Sequence, residues 1–357
     1  MTVAKFSVCS LLICACVSLL VETAPAQTEQ TQPAQTQPAK AGSESAKIEQ
    51  AQALLGAGKL DAAIAVLTSI PKSEFNQVQI DHLLGLGYYQ KNDHARAAEH
   101  LSLALKNAKE NNSRSYRQGV QLLGMSYYFL GRIKEAIPYL EQVKGWDPAN
   151  VEMAYVLGLS HIRTQNPAGA REAFARMFAV PPDSAAAYLM NAQMMIRQQV
   201  EELAEKELQR AIELDPKLPQ ANFLLGELAI YRADIDLGIK LLQKEIALNP
   251  AFAMAYYRLG EAYTRQLKWD DSIAPLQKSI WLSPFFSGPY IVLGKVYLKK
   301  GDLANAESIL RRALKMDPNN FSGHHLLAQV LQQSNRLEEA KREFELADRL
   351  RTSADQQ

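Results

Sequence analysis

Six prolines punctuate the chain at one interval: Pro148, Pro182, Pro216, Pro250, Pro284 and Pro318 lie 34 residues apart without a slip. Proline has no N–H to give and clashes with the carbonyl one turn back, so it ends a helix and pushes the residue before it out of the helical region. Stops repeated at such an interval mean one supersecondary unit copied end to end, and a unit of this kind buries its apolar face only against its neighbours. The stretch from Tyr290 to Pro318 shows the unit most clearly, as two amphipathic helices around a turn at Lys300-Gly301-Asp302, closed by the proline.

Extended in both directions, the interval gives nine units, at residues 44–77, 78–111, 117–150, 151–184, 185–218, 219–252, 253–286, 287–320 and 321–354. Position 8 of the unit holds only the two smallest residues: Ala51, Gly85, Gly124, Gly158, Ala192, Gly226, Gly260, Gly294 and Ala328. Position 20 is also small, from Ala63 to Ala340, and position 24 is leucine except for Phe174 and Phe344. Glycine inside a helix costs about 1 kcal/mol relative to alanine. Six glycines at one position therefore imply two helices in close approach, with the large side chain of position 24 filling the space beside them.

Tyr290, Leu293, Gly294, Tyr297, Ala306, Leu310, Ala313 and Pro318 make this unit resemble the tetratricopeptide repeat family. The family pattern runs aromatic, Leu-Gly, Tyr, Ala, large apolar, Ala, Pro over 34 residues, and Leu310 stands where it often has an aromatic. The resemblance implies an all-α fold, a right-handed superhelical solenoid of nine helix-turn-helix repeats. It also implies that function lies on the part of each first helix that does not pack against the second, a stripe lining a concave groove that holds a peptide or a partner helix.

Departures from the pattern mark the ends and one junction. Repeat 44–77 has Gln50-Ala51 in place of Leu-Gly, and its second helix is expected to end before Pro71, as befits a terminal repeat. Five extra residues, Asn112 to Tyr116, separate the second and third repeats, and Lys109-Glu110-Asn111 replaces the proline stop. The second helix of repeat two is thus expected to run long, with the insertion either a tolerated surface loop or a flexible joint. Pro138 and Pro275 fall inside second helices, where each removes a hydrogen bond. The last repeat has no proline stop, and its charged second helix, Glu338 to Arg351, reads as a polar cap.

The N-terminus has its own logic. Lys5, an apolar run from Phe6 to Val21 and then Ala24-Pro25-Ala26 form a secretory signal peptide over residues 1–26. The run falls short of the roughly 20 residues that span a bilayer, so cleavage after Ala26 is expected to leave no stable membrane span. Cys16 follows a small residue and admits a lipoprotein reading, but apolar residues continue after it. Residues 27–43, rich in Gln, Thr, Pro and Ala, read as a disordered tether. All three cysteines, Cys9, Cys14 and Cys16, lie in the signal, so the mature chain has no thiol and no disulfide. A net charge of +1 argues against a nucleic-acid footprint.

No catalytic, cofactor or metal constellation emerges. Gly85-x-Gly87 lacks a third glycine and lies within a repeat helix. His324 and His325 point to different sides of a helix, and His94 and His100 are six apart, which does not suit helical ligand pairs. Carboxylates are expected on outward faces. The stripe at positions 2, 5, 9, 12 and 13 carries Met125, Tyr128, Phe129, Tyr155, Leu159, Ile162, Leu189, Ile196 and Phe223 in repeats three to six, as a partner-binding groove or as core between repeats. Position 13 adds a basic edge, Arg163, Arg197, Arg265 and Lys299, which helix C-termini also favour. The Lys, Asn and Arg clamp with which resembling proteins grip acidic chaperone tails is missing: His82, Leu86, Leu122, Glu152 and Val156 stand in its places. The expectation is a non-catalytic protein-interaction scaffold, exported to the periplasm or beyond, that binds a protein or peptide. Two alternatives remain open: an envelope factor that binds polysaccharide or another anionic ligand along the basic edge, and a structural protein that self-associates through its end repeats.

Overall fold

The computed structural model describes residues 38–109 and 113–355, and these form eighteen helices with no strand among them. The expected signal peptide and residues 27–37 of the expected tether lie outside the described residues. The first helices of the nine repeats are α1 (Pro38–Gly56), α3 (Gln77–Gln90), α5 (Arg114–Phe129), α7 (Val151–Arg163), α9 (Ala185–Arg197), α11 (Ala221–Tyr231), α13 (Ala253–Arg265), α15 (Ser287–Lys299) and α17 (Phe321–Gln333). The second helices are α2 (Leu60–Thr68), α4 (His94–Asn107), α6 (Ile133–Trp146), α8 (Pro167–Met177), α10 (Glu201–Leu214), α12 (Ile235–Leu248), α14 (Trp269–Leu282), α16 (Leu303–Met316) and α18 (Leu337–Asp355).

Within a repeat, the two helices meet where position 8 faces position 24. A Cβ added to Gly85, Gly158 or Gly294 would lie 2.5 Å from the side chain of Leu101, Phe174 or Leu310, so the glycines are required by contact rather than by backbone conformation. Between the helices, every repeat turns through a left-handed residue at position 15. Gly58, Asn92, Gly131, Gln165, Gln199, Ala233, Leu267, Gly301 and Asn335 all have φ between 57° and 77°. Only three of the nine are glycine, the residue that adopts this region without strain.

Each second helix packs against its own first helix and against the first helix of the next repeat. Polar side chains bridge several junctions from position 14 back to position 18 of the preceding repeat: Lys91 to Asp61, Gln266 to Asp236 at 2.8 Å, and Lys300 to Asp270. Exposed pairs of this kind add little each, and burial of residues such as Leu84, Leu101, Leu123, Leu157 and Tyr290 carries the stability.

Two local expectations change, and two further helices depart from the regular register of the unit. Helix α1 begins at Pro38, inside the expected tether, because proline is well suited to the first helical turn and Ala39-Lys40-Ala41 are good helix formers. The second helix of repeat two does not run long: α4 ends at Asn107, where Ala108 turns extended with ψ of 129°. The inserted residues instead lengthen α5, which starts at Arg114 behind Ser113, whose hydroxyl accepts from the Tyr116 N–H at 3.2 Å. Helices α4 and α5 remain extensively packed against each other, so this junction is as close as any other. Helix α8 stops at Met177, three residues short of its counterparts' register, since Pro181 bars Val180 from the helical region and Ala179 turns left-handed at φ 52°. Helix α11 starts at Ala221 behind Gln220 at φ 70°, because Pro219 stands at the first position of the repeat.

Candidate interaction surface

First helices of successive repeats touch directly at α1–α3, α3–α5, α11–α13, α13–α15 and α15–α17, which places them along one side of the array. Between α5, α7, α9 and α11 that contact is slight or absent, and large side chains stand there instead. Those side chains divide by burial. Met125, Leu159, Ile162 and Phe223 are buried at 2%, 6%, 1% and 7% exposure, so they belong to the core between repeats and leave the groove set. The reason is geometric: a stripe repeating at helical spacing is wide enough to face the next helix on one flank and open space on the other. Phe223, for example, meets Phe252 edge to face at 4.9 Å.

Phe129 and Tyr155 remain open, each at 39% exposure, with Tyr128, Leu189 and Ile196 half-buried beside them. Phe129 stacks on His94 at 4.5 Å between ring centroids and meets Tyr128 at 5.7 Å. Burial holds the His94 imidazole below its ordinary range although Asp93 opposes this, and burial with the nearby Glu152 carboxylate pushes Tyr89, edge-on to His94, up to about 12. His94 and Tyr89 are therefore neutral parts of an aromatic platform. Tyr231, 69% exposed at the end of α11, extends the series beyond the expected set.

Arg163, Arg197, Arg265 and Lys299 are all exposed at the last residue of their helices. The Arg163 guanidinium lies over the Tyr128 ring at 4.9 Å, and Arg265 reaches Glu261 at 3.4 Å. Arg258 lies between two carboxylates, 2.7 Å from Glu227 and 2.9 Å from Glu261. Burial nevertheless raises the Glu227 carboxyl above its ordinary range, with Arg258 pulling the other way.

A cleft of about 620 Å³ opens between α3, α4 and the first turn of α5, floored by Leu83, Leu86 and Leu105 and rimmed by His82, Gln118 and Arg114. A second, of about 350 Å³, lies between α15, α17 and α18 around Phe321, His325 and Arg351. Both occupy the same corner of the unit, bounded by positions 1, 2, 5 and 6 of a first helix and 27, 28 and 31 of its second.

Carboxylates are not confined to outward faces. Asp81 and Glu245 are fully buried and Glu207 is 7% exposed. Each has a structural task. Glu245 accepts from the backbone N–H groups of Gln220 and Phe223 at 2.8 and 3.3 Å, capping α11, which has no side-chain cap of its own. Glu207 accepts from Arg171 and, at 2.7 Å, from Asn191 Nδ2. Asp81 Oδ1 lies within reach of Lys72 at 2.6 Å and His100 at 2.9 Å. Among the described residues no three His, Cys, Asp or Glu side chains gather as a metal site, and buried His324 is engaged by Glu343 and the Pro318 carbonyl. No described helix is long and apolar enough to cross a membrane.

Family models described as Tetratricopeptide repeat match residues 130–194 and 297–354, and a second such model matches 223–285. Among solved structures, MamA 41-end from Desulfovibrio magneticus RS-1 is 20% identical over 48% of this chain and 97% of that one, with a TM-score of 0.45. YrrB, a TPR protein described as having an unusual peptide-binding site, is 18% identical over 51% of this chain and 93% of that one, with a TM-score of 0.44. The APC/C hetero-tetramer Cut9–Hcn1 is 20% identical over 76% of this chain and 52% of that one, with a TM-score of 0.42. No curated protein matches the chain.

Proposed function

We propose, from the premise that this chain belongs to the tetratricopeptide repeat family, whose models cover more than half of it, that it is a non-catalytic scaffold binding a protein segment. The segment lies along the first helices of repeats three to six. The observation that carries this reading is the accessible aromatic series, Phe129 and Tyr155 with half-buried Tyr128 against Phe129, on the part of the array where the first helices separate. Aromatic side chains supply large contact area at small entropic cost and dominate interface energetics.

The test is site-specific photo-crosslinking in the native cell, with the reactive residue in place of Phe129 or Tyr155 and, as control, in place of Leu237. Leu237 is 44% exposed but sits on α12, a second helix. Defined adducts from the first two sites and none from Leu237 are expected; equal labelling from all three would remove the assignment.

The signal-like N-terminus supports a place in the cell envelope, exported with a mature start at Gln27. Intact mass of the exported protein decides this. A species beginning at a lipidated Cys16 would instead make the scaffold membrane-anchored.

A further inference from the structure

Position 13 is the last residue of every first helix, yet its chemistry changes along the array. It is Gly56, Gln90 and Phe129 in the first three repeats, then Arg163, Arg197, Tyr231, Arg265 and Lys299, and finally Gln333. A cation at a helix C-terminus gains from the macrodipole. That gain does not explain the pattern, because α3, α5 and α17 end at the same position without one. Nor are these cations consumed by neighbours. Among the described residues Arg197 and Lys299 have no ion pair, Arg163 rests on a ring, and Arg265 reaches only Glu261, which Arg258 already holds more closely. Glu227 is likewise taken by Arg258, and Glu152, the third carboxylate on these first helices, lies at the opposite end of α7 from Arg163.

The face is therefore two-part: aromatic from repeat two to repeat four, cationic from repeat four to repeat eight, and the two parts meet where Arg163 covers Tyr128. Resting on the scaffold reading above, we infer that the bound segment is an extended acidic peptide where it crosses repeats four to eight. First helices in contact lie about 8–10 Å apart, those of repeats four to six stand somewhat further apart, and an extended chain advances about 3.3 Å per residue, so one repeat corresponds to at least about three residues of ligand. Carboxylates about three residues apart then meet Arg163 and Arg197. An apolar residue follows about three further on at Tyr231, and two more carboxylates at the same spacing meet Arg265 and Lys299.

The probe is a synthetic peptide with Glu, Glu, Leu, Glu and Glu at every third position and Ser or Ala between, compared with one of the same composition whose glutamates are contiguous. Fluorescence anisotropy with the full chain should show the spaced peptide binding about fivefold or more tighter, with affinity falling as salt rises. The double substitution Arg197→Gln and Lys299→Gln should weaken it about tenfold, while helicity stays and the melting temperature falls only slightly, because both side chains are exposed without an ion pair and only the helix-end charge is lost. Equal binding of the two peptides, or indifference to the double substitution, overturns the inference. Tighter binding of a uronate oligosaccharide than of the spaced peptide overturns it in favour of an anionic glycan. Crosslinking from Phe129 and Tyr155 that survives the double substitution would sink the acidic ligand while leaving the scaffold reading intact.

Discussion

At the scale of single residues, the repeat separates what identity encodes from what conformation demands. The position-8 glycines were legible in the sequence because the packing at that position admits nothing larger than alanine in any repeat. The left-handed turn at position 15 was read at Gly301 and is carried by glycine at Gly58 and Gly131 too, but in the other six repeats the chain reversal imposes the conformation on Asn, Gln, Ala and Leu, where identity does not announce it. Leu267, 69% exposed with φ 59°, loses little burial and sheds backbone strain on becoming glycine. Leu267→Gly should therefore raise stability by about 1 kcal/mol in denaturant titration. The opposite change at position 8 should be costly: Gly158→Ala meets the fully buried ring of Phe174 and should destabilise by about 1–3 kcal/mol, more than Gly294→Ala against the flexible Leu310.

Titration belongs to the same scale. Burial lowers both His82 and His94 below the ordinary value of 6.5, with the hydrogen bond His82 donates to Gln118 Oε1 and the charge of Asp93 respectively acting against it. A folded-state value below the unfolded one means stability that is whole above 6.5 and is lost as pH falls through the folded values. Thermal melts between pH 7 and 5 should show repeat two weakening first, and His82→Gln with His94→Gln should flatten that slope.

At the scale of helices, prolines announced the stops and missed what surrounds them. Two adjacent prolines shorten α8 because the first of them occupies the place where Asp147, Asp215 and Asp317 end other second helices. Pro181→Asp should extend α8 through residues 178–180, seen as new amide protection there in hydrogen exchange; no added protection would mean that Ala179, not Pro181, sets the end. The stripe of candidate contacts was legible as a stripe, but its division was not. Periodicity gives the direction of Met125 and Tyr155 alike, and only the distance to the next first helix buries one and opens the other.

At the scale of the whole array, contacts join neighbours only, so stability is a sum of repeat and junction terms and the ends should open first. Hydrogen exchange is expected to find repeats four to eight most protected; greatest protection in residues 44–77 would contradict this. The far end is closed by α18, whose exposed stripe is Glu338, Lys341, Glu345 and Asp348. A chain truncated after Asn320 loses that polar surface, and light scattering should show it more strongly associated than the full chain at the same concentration.

The neighbour-only contacts also set the mechanics. Junctions linked one after another behave as springs in series: a pull or twist is shared among them as small rotations, and compliance grows with the number of junctions crossed. A ligand held at one junction meets a stiff seat. A ligand laid from repeat four to repeat eight meets a soft one, and it can draw the coil to its own pitch for little work, so the length of the bound segment governs how far the array is wound or unwound by what it carries.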